Sequence, residues 1–289
     1  MLKKILAGFI IGFVLNTLCV NVQAATDGKN GTDGKNFPSL LNNASESPRL
    51  KMITDSLYNI MGLAIFGLER DVFYNAFKGY EVLLSKNKLK KPDLLTICDY
   101  SQSSNNQRLY VINLKEGRLL FNTLVSHGKN SGGEYATSFS NLNSSNKSSL
   151  GFMVTGETYR GKAGYSMRFD GMEQGINDKV RQRDIVLHGS AFVNLGMVEQ
   201  RGVIGNSLGC PAVPLSQHKQ IIDAIKNGSC FFINHPDSWY VRTSAILNAK
   251  FDLVPTASAL ANGNSATAAP TPAAQADGTN AGNSTGRSF

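Results

Sequence analysis

The residues best equipped for chemistry in this chain are His188 and Cys210, in the stretches His188-Gly189-Ser190 and Asn206-Ser207-Leu208-Gly209-Cys210-Pro211-Ala212. A cysteine nucleophile needs a base to form thiolate and backbone N–H groups to hold the oxyanion that develops on the attacked carbonyl. His188 closes the apolar run Asp184-Ile185-Val186-Leu187, a strand pattern that would hold the imidazole rigidly. Cys210 falls on a tight turn of small residues, where the N–H groups of Gly209 and Cys210 are the expected oxyanion donors. Gly209 also removes a side chain that would block a substrate. The Gly189 carbonyl or the Ser190 side chain is expected to orient the imidazole. Taken alone, such a pair is equally what two core residues would look like.

Cysteine usage sharpens the choice. Of four cysteines, Cys19 lies in residues 1–24, which have the layout of a secretory signal peptide. Lys3 and Lys4 begin it, Ile5 to Val20 is apolar, and Val22-Gln23-Ala24 is the cleavage site. The alternative is an uncleaved anchor giving transient membrane contact through the N-terminal segment. Export to the periplasm or cell envelope then leaves Cys98, Cys210 and Cys230, and an odd number leaves at least one thiol unpaired. Cys98 and Cys230 sit in apolar, strand-like runs and read as core thiols. Cys210, between Gly209 and Pro211, does not.

An apolar content of 42% excludes wholesale disorder. The formal charge of +8, or +6 once Lys3 and Lys4 leave, favours anionic polymers or acidic peptides as partners. The basic residues form no dense run, so nucleic acid is not an expected partner. Four histidines without CxxC or HExxH spacing give no reason to expect a metal, and no other cofactor is expected.

The elements that must position the pair follow from periodicity. Residues 25–48 repeat Thr-Asp-Gly-Lys-Asn and read as a flexible linker. Residues 49–93 form a helical segment, with Val72, Phe73, Ala76, Phe77, Tyr80, Leu83 and Leu84 on the packing face. Lys78, Glu81, Ser85 and Lys88 take the solvent side. Residues 94–254 are the catalytic domain, with strands at 94–98, 108–114, 118–124, 151–155, 166–169, 184–187 and 230–234. Residues 137–149 are a loop, and a helix capped by Ser216 stops at Asn227-Gly228. Residues 255–289 are a polar tail that cannot fold alone. The fold class is mainly β with helices at its edges.

Further candidates surround the pair. Arg168 and Arg183 suit carboxylate binding, since guanidinium pairs bidentately with carboxylates. His127 could line the cleft, Tyr159 could border the substrate, and Ser207 joins them as a binding candidate. His218 and His235 read as surface or structural.

His188-Gly189 with Ser207-Leu208-Gly209-Cys210 resembles the signature of the L,D-transpeptidases, the YkuD-like cell-wall enzymes, and specifically their murein L,D-transpeptidase catalytic-domain subgroup. Matching segments include Val125–Gly132, Ser149-Leu150-Gly151, Thr155–Tyr159, Gly164–Arg168, Gly175–Asp178 and Gly209–Val213, so the resemblance covers about residues 69–235. It implies a β-sandwich-like catalytic fold and attack by cysteine on a peptidoglycan stem peptide. Cys210 would displace D-alanine from a tetrapeptide, and an amine would take the acyl group to form a cross-link. The broader family carries His two positions before the cysteine and Arg just after it; this chain has Leu208 and Pro211-Ala212, which leaves His188 as the base. The alternatives are an L,D-carboxypeptidase, with water as acceptor, and a non-catalytic cell-wall-binding module.

Overall fold

The computed structural model describes residues 48–250; the leader, the linker up to residue 47 and the expected tail lie outside the described residues. Two helices come first, α1 (Pro48–Ile60) and α2 (Arg70–Ser85), joined by a 3₁₀ turn at Leu63–Phe66. Phe73, Ala76, Phe77, Tyr80 and Leu83 of α2 are buried, as the helical period requires. Lys78 departs from the expected solvent face. It is 8% exposed, and its Nζ donates to the Leu247 carbonyl at 2.7 Å, because the segment after residue 244 returns over that side of α2.

Among the described residues the strands are β1 (Leu94–Asp99), β2 (Leu109–Asn113), β3 (Arg118–Thr123), β4 (Gly151–Gly161), β5 (Gly164–Gly171), β6 (Val186–Ser190), β7 (Ala212–Pro214) and β8 (Cys230–Asn234). They form one sheet in the order β3-β2-β1-β8-β4-β5-β6-β7. Pairing is antiparallel except for β1 with β8 and β6 with β7, which are parallel. Beyond β3 the chain turns back to the opposite edge: Ser126 bridges Ala212 of β7, its N–H donating to the Ala212 carbonyl at 2.8 Å. The two edges of the sheet therefore meet, rolling it into a barrel-like shape with Phe152, Met167, Phe169, Leu187, Phe231 and Phe232 wholly buried. This is the mainly β architecture with helical flanks that the periodicity implies.

Three smaller helices complete the domain: α3 (Leu195–Arg201), α4 (His218–Ile225) and α5 (Ser238–Thr243). α4 buries Ile221, Ile222 and Ile225, and Asn227, at φ 67°, turns the chain out of it. Its N-cap is Gln217 rather than Ser216, and no side chain caps it. β7, α3 and α5 have no counterpart among the expected elements. α3 buries no residue, and β7 is only three residues long, so neither leaves a periodic trace. β6 begins two residues later than expected because Asp184 has the left-handed φ of 53°, which ends the preceding turn instead of starting a strand.

Candidate active site

The register of the sheet determines which side chains share a face. Tyr159 pairs with Ser166, and Ser166 with His188, placing one residue from each of β4, β5 and β6 in a row. Arg168 pairs with Val186 in the adjacent row, so Arg168, Val186 and His188 lie on the same face. The alternate residues Met167 and Leu187 point into the core on the other face. β7 runs parallel to β6 with His188 level with Ala212, so Cys210 reaches β6 at Val186, one side-chain repeat from His188. The Val186 N–H donates to Cys210 Sγ at 3.4 Å, and the thiol donates to the Asp184 carbonyl at 3.6 Å. His188 is not among the thiol's hydrogen-bond partners. The imidazole Nδ1 instead faces the Gly189 carbonyl at 3.0 Å. A carbonyl only accepts, so Nδ1 carries the hydrogen and Nε2 is left as the basic nitrogen of the neutral ring. Of the two expected orienting groups, Gly189 holds the imidazole. Ser190 Oγ accepts from the Phe192 N–H at 3.4 Å.

The electrostatics favour a neutral pair at rest. Burial pushes the Cys210 thiol above its ordinary value, opposed by the Val186 N–H and the positive charge of Arg183. Burial pulls His188 below its ordinary value, and the charge of His218 acts in the same direction. His218 approaches from the reverse side of β6. A Cβ on Gly189 would stand 2.5 Å from the His218 ring, so only glycine admits α4 this close. His218 Nδ1 faces the Leu215 carbonyl at 2.7 Å, which fits its structural assignment.

Ser207 and Gly209 shape the turn that carries the thiol. Ser207 Oγ donates to the Cys210 carbonyl at 2.5 Å and accepts from the Gly209 N–H at 3.1 Å. The hydroxyl, on a residue 6% exposed, is thus spent inside the turn and does not face a ligand, contrary to its expected binding role. The same bond occupies the Gly209 N–H, which corrects its expected role as an oxyanion donor. The Cys210 N–H has no acceptor among the described residues and is the donor that remains. Gly209 has φ 120°, and a Cβ there would lie 2.9 Å from the Lys147 carbonyl oxygen.

His127 does not line the cleft. It is wholly buried: Arg108 donates to its Nδ1 at 2.8 Å, and its Nε2 faces the Gly132 carbonyl at 3.2 Å. Burial, reinforced by the Arg108 charge, lowers it to about 4. Its backbone carbonyl accepts from the Ser207 N–H at 3.0 Å, so its link to the site is through the main chain.

Arg183 stands close enough to favour thiolate at Cys210, but four of its donors are used. NH1 bonds the Ser140 carbonyl and Ser149 Oγ, and NH2 bonds Ser145 Oγ and the Lys147 carbonyl. It latches the loop expected at 137–149 beneath the Cys210 turn. Arg168 lies over the Tyr159 ring at 4.4 Å and pairs with Asp184 at 3.2 Å and Glu157 at 3.5 Å. It therefore remains on the site face, already holding carboxylates of this chain. Asp184, whose carbonyl receives the thiol and whose carboxylate receives Arg168, was not a sequence candidate. An aspartate heading a strand gives no sign that its backbone is left-handed. Cys98 and Cys230 are wholly buried core thiols, with burial raising Cys98 to about 12. Among the described residues no group of three or more His, Cys, Asp or Glu side chains could hold a metal ion. No helix among them is long and apolar enough to cross a membrane.

Residues 66–234 match the family model of the L,D-transpeptidase catalytic domain. This chain belongs to the L,D-transpeptidase catalytic-domain family. No curated protein matches it in sequence. Among solved structures it is similar to an L,D-transpeptidase from Mycobacterium smegmatis, at 12% identity and a TM-score of 0.31, over 50% of this chain and 59% of that one. It is also similar to an L,D-transpeptidase from Stackebrandtia nassauensis, at 14% identity and a TM-score of 0.31, over 66% and 80% of the two chains. A third, from Xylanimonas cellulosilytica, shares 11% identity with a TM-score of 0.28, over 71% of this chain and all of that one. The chain thus spans about three-fifths of the length of the Mycobacterium smegmatis protein.

Proposed function

We propose that the protein is an exported cysteine L,D-transpeptidase that cross-links peptidoglycan stem peptides in the periplasm or cell envelope. Family membership supports the reaction class. The observation that carries the assignment of residues is the meeting of the Cys210 turn with β6 at Val186, one side-chain repeat from the basic nitrogen of His188.

In this reading Cys210 rests as a thiol and His188 as a neutral base. Substrate binding draws the thiol from the Asp184 carbonyl to Nε2. As Sγ attacks the carbonyl at the L-centre of the diamino acid in a tetrapeptide, Nε2 takes the thiol proton. The oxyanion receives the Cys210 N–H. The tetrahedral intermediate collapses, D-alanine leaves with the proton from His188, and a thioester remains. An amine from a second stem then attacks the thioester and gives its proton to His188. Sγ departs and is reprotonated, leaving a new amide cross-link.

The test is product analysis by mass spectrometry. The wild-type protein and Cys210→Ala are incubated with disaccharide-tetrapeptide muropeptides. A cross-linked dimer lacking one D-alanine, made by the wild type alone, is the expected result. Tripeptide without dimer makes the enzyme a carboxypeptidase, and unaltered substrate in both refutes the proposal.

A further inference from the structure

Trp239 is the sole tryptophan of the chain and is 52% exposed, whereas its neighbour Tyr240 is wholly buried. It stands at the mouth of a cavity of about 290 Å³ whose apolar wall is Phe139, Leu150 and Ile176 and whose polar rim includes Asn141 and Asp237. The rim is held in place by its own bonds. Asn141 donates to Asp178 Oδ1 at 2.7 Å and accepts from the Lys179 N–H at 3.2 Å. Asp237 Oδ1 accepts from the Tyr240 N–H at 2.9 Å, leaving Oδ2 without a partner among the described residues. The indole N–H is likewise unengaged.

The chemistry of this surface is that of carbohydrate recognition. A flat aromatic face packs against the C–H groups of a pyranose, while a carboxylate oxygen and an indole N–H take its hydroxyl and carbonyl groups. A carboxylate at the rim disfavours anionic ligands by like-charge repulsion and selects a neutral sugar. The cavity is also joined to the nucleophile's surroundings. Ser140, on its wall, bonds Arg183, which also bonds the Lys147 carbonyl under Gly209. We infer that this cavity is a saccharide-binding site, separate from the thiol centre, that takes a neutral N-acetylated amino sugar of the glycan strand bearing the stem peptides. The choice of sugar rests on the function proposed above; the site itself does not.

Because Trp239 is the sole tryptophan, its emission reports on this cavity without interference. Titration of the full chain with N-acetylglucosamine trimer should give a saturable change in fluorescence, and the same change in Cys210→Ala. Saturation-transfer NMR with the same trimer should show binding weakened about tenfold or more in Trp239→Leu and less in Trp239→Phe. Melting curves of both variants should match the wild type, since half of the side chain lies in water. Absence of a saturable response, equal binding by Trp239→Leu, or the same response to a sugar-free tetrapeptide overturns the inference. Sugar binding without cross-linking would refute the proposed function alone. Cross-linking without sugar binding would refute this site alone.

Discussion

Asp184 offers the sharpest perturbation, because its main chain contacts the thiol while its carboxylate acts on it through charge alone. Its φ of 53° turns the carbonyl toward Cys210, and the carboxylate pairs with Arg168 at 3.2 Å. Asp184→Asn and Asp184→Gly both remove the charge yet accept a left-handed backbone; Asp184→Val removes the same charge but resists it. The exposed ion pair is worth at most about 1 kcal/mol, so the Asn and Gly variants should stay within about 1 kcal/mol of wild type. A β-branched residue at this φ costs about 1–3 kcal/mol and is relieved by rotating the peptide, which withdraws the carbonyl. The carbonyl stabilises the protonated thiol. Losing a weak S–H bond of about 0.5–1 kcal/mol should therefore raise the thiolate fraction about two- to fivefold. The assay is the rate of Cys210 labelling by a maleimide across pH, beside thermal melting. Relative to Asn and Gly, Val should melt lower and label two- to fivefold faster near neutrality. Equal labelling in the three would refute the claim that the left-handed carbonyl parks the thiol.

Other outcomes follow from the same geometry. Ser207→Ala leaves the buried Gly209 N–H and Cys210 carbonyl without their shared hydroxyl; it should lower stability by about 1–3 kcal/mol in denaturant melts and reduce cross-linking in muropeptide assays. Gly209→Ala forces a Cβ against the Lys147 carbonyl at a positive φ, and should destabilise by at least about 1–3 kcal/mol with loss of cross-linking. His127 should make stability fall with acidity. The unfolded ring takes a proton near pH 6.5, whereas the buried one resists to about pH 4, so stability is full above 6.5 and is lost as pH falls between those values. The loss is about 3 kcal/mol, and denaturant melts of His127→Asn, which keeps an acceptor for Arg108, should show a shallower decline. Because burial holds His188 below its ordinary value, acylation by the enzyme should persist below pH 6.5 and fail only as pH drops through the lowered value, which stopped-flow acylation can follow.

The elements with long periodic patterns were legible in the sequence. The apolar face of α2, the β2–β3 hairpin at Lys115-Glu116-Gly117 and the closing strand at Cys230 all carry their signal within a few residues. Residue type and glycine flanks single out His188 and Cys210, and the folded chain brings the Cys210 turn to β6 at Val186, two residues from His188. What surrounds the pair was not legible, because the contacts are long-range and pass through backbone atoms. Ser207 looked like a ligand-facing hydroxyl, and only the folded turn shows both of its bonds closing on Gly209 and Cys210. His127 precedes a glycine as His188 does, yet its partner Arg108 lies on another segment and draws it inward. The helix at 195–201 left no trace because none of its residues is buried.

The position of β8 has a consequence for how the domain comes into being. Among the described residues β8 is the last strand, yet it sits in the middle of the sheet, parallel to β1 on one side and antiparallel to β4 on the other. Until residues 230–234 insert, β1–β3 and β4–β7 have no ladder joining them through the centre of the sheet. Pairings such as Leu95 with Cys230 span most of the domain, and closing loops of that length slows folding. A chain still being made thus has a divided sheet, with Cys210 on one half and its core support incomplete. Insertion of β8 is the step that joins the two halves into one sheet, with β8 as its keystone.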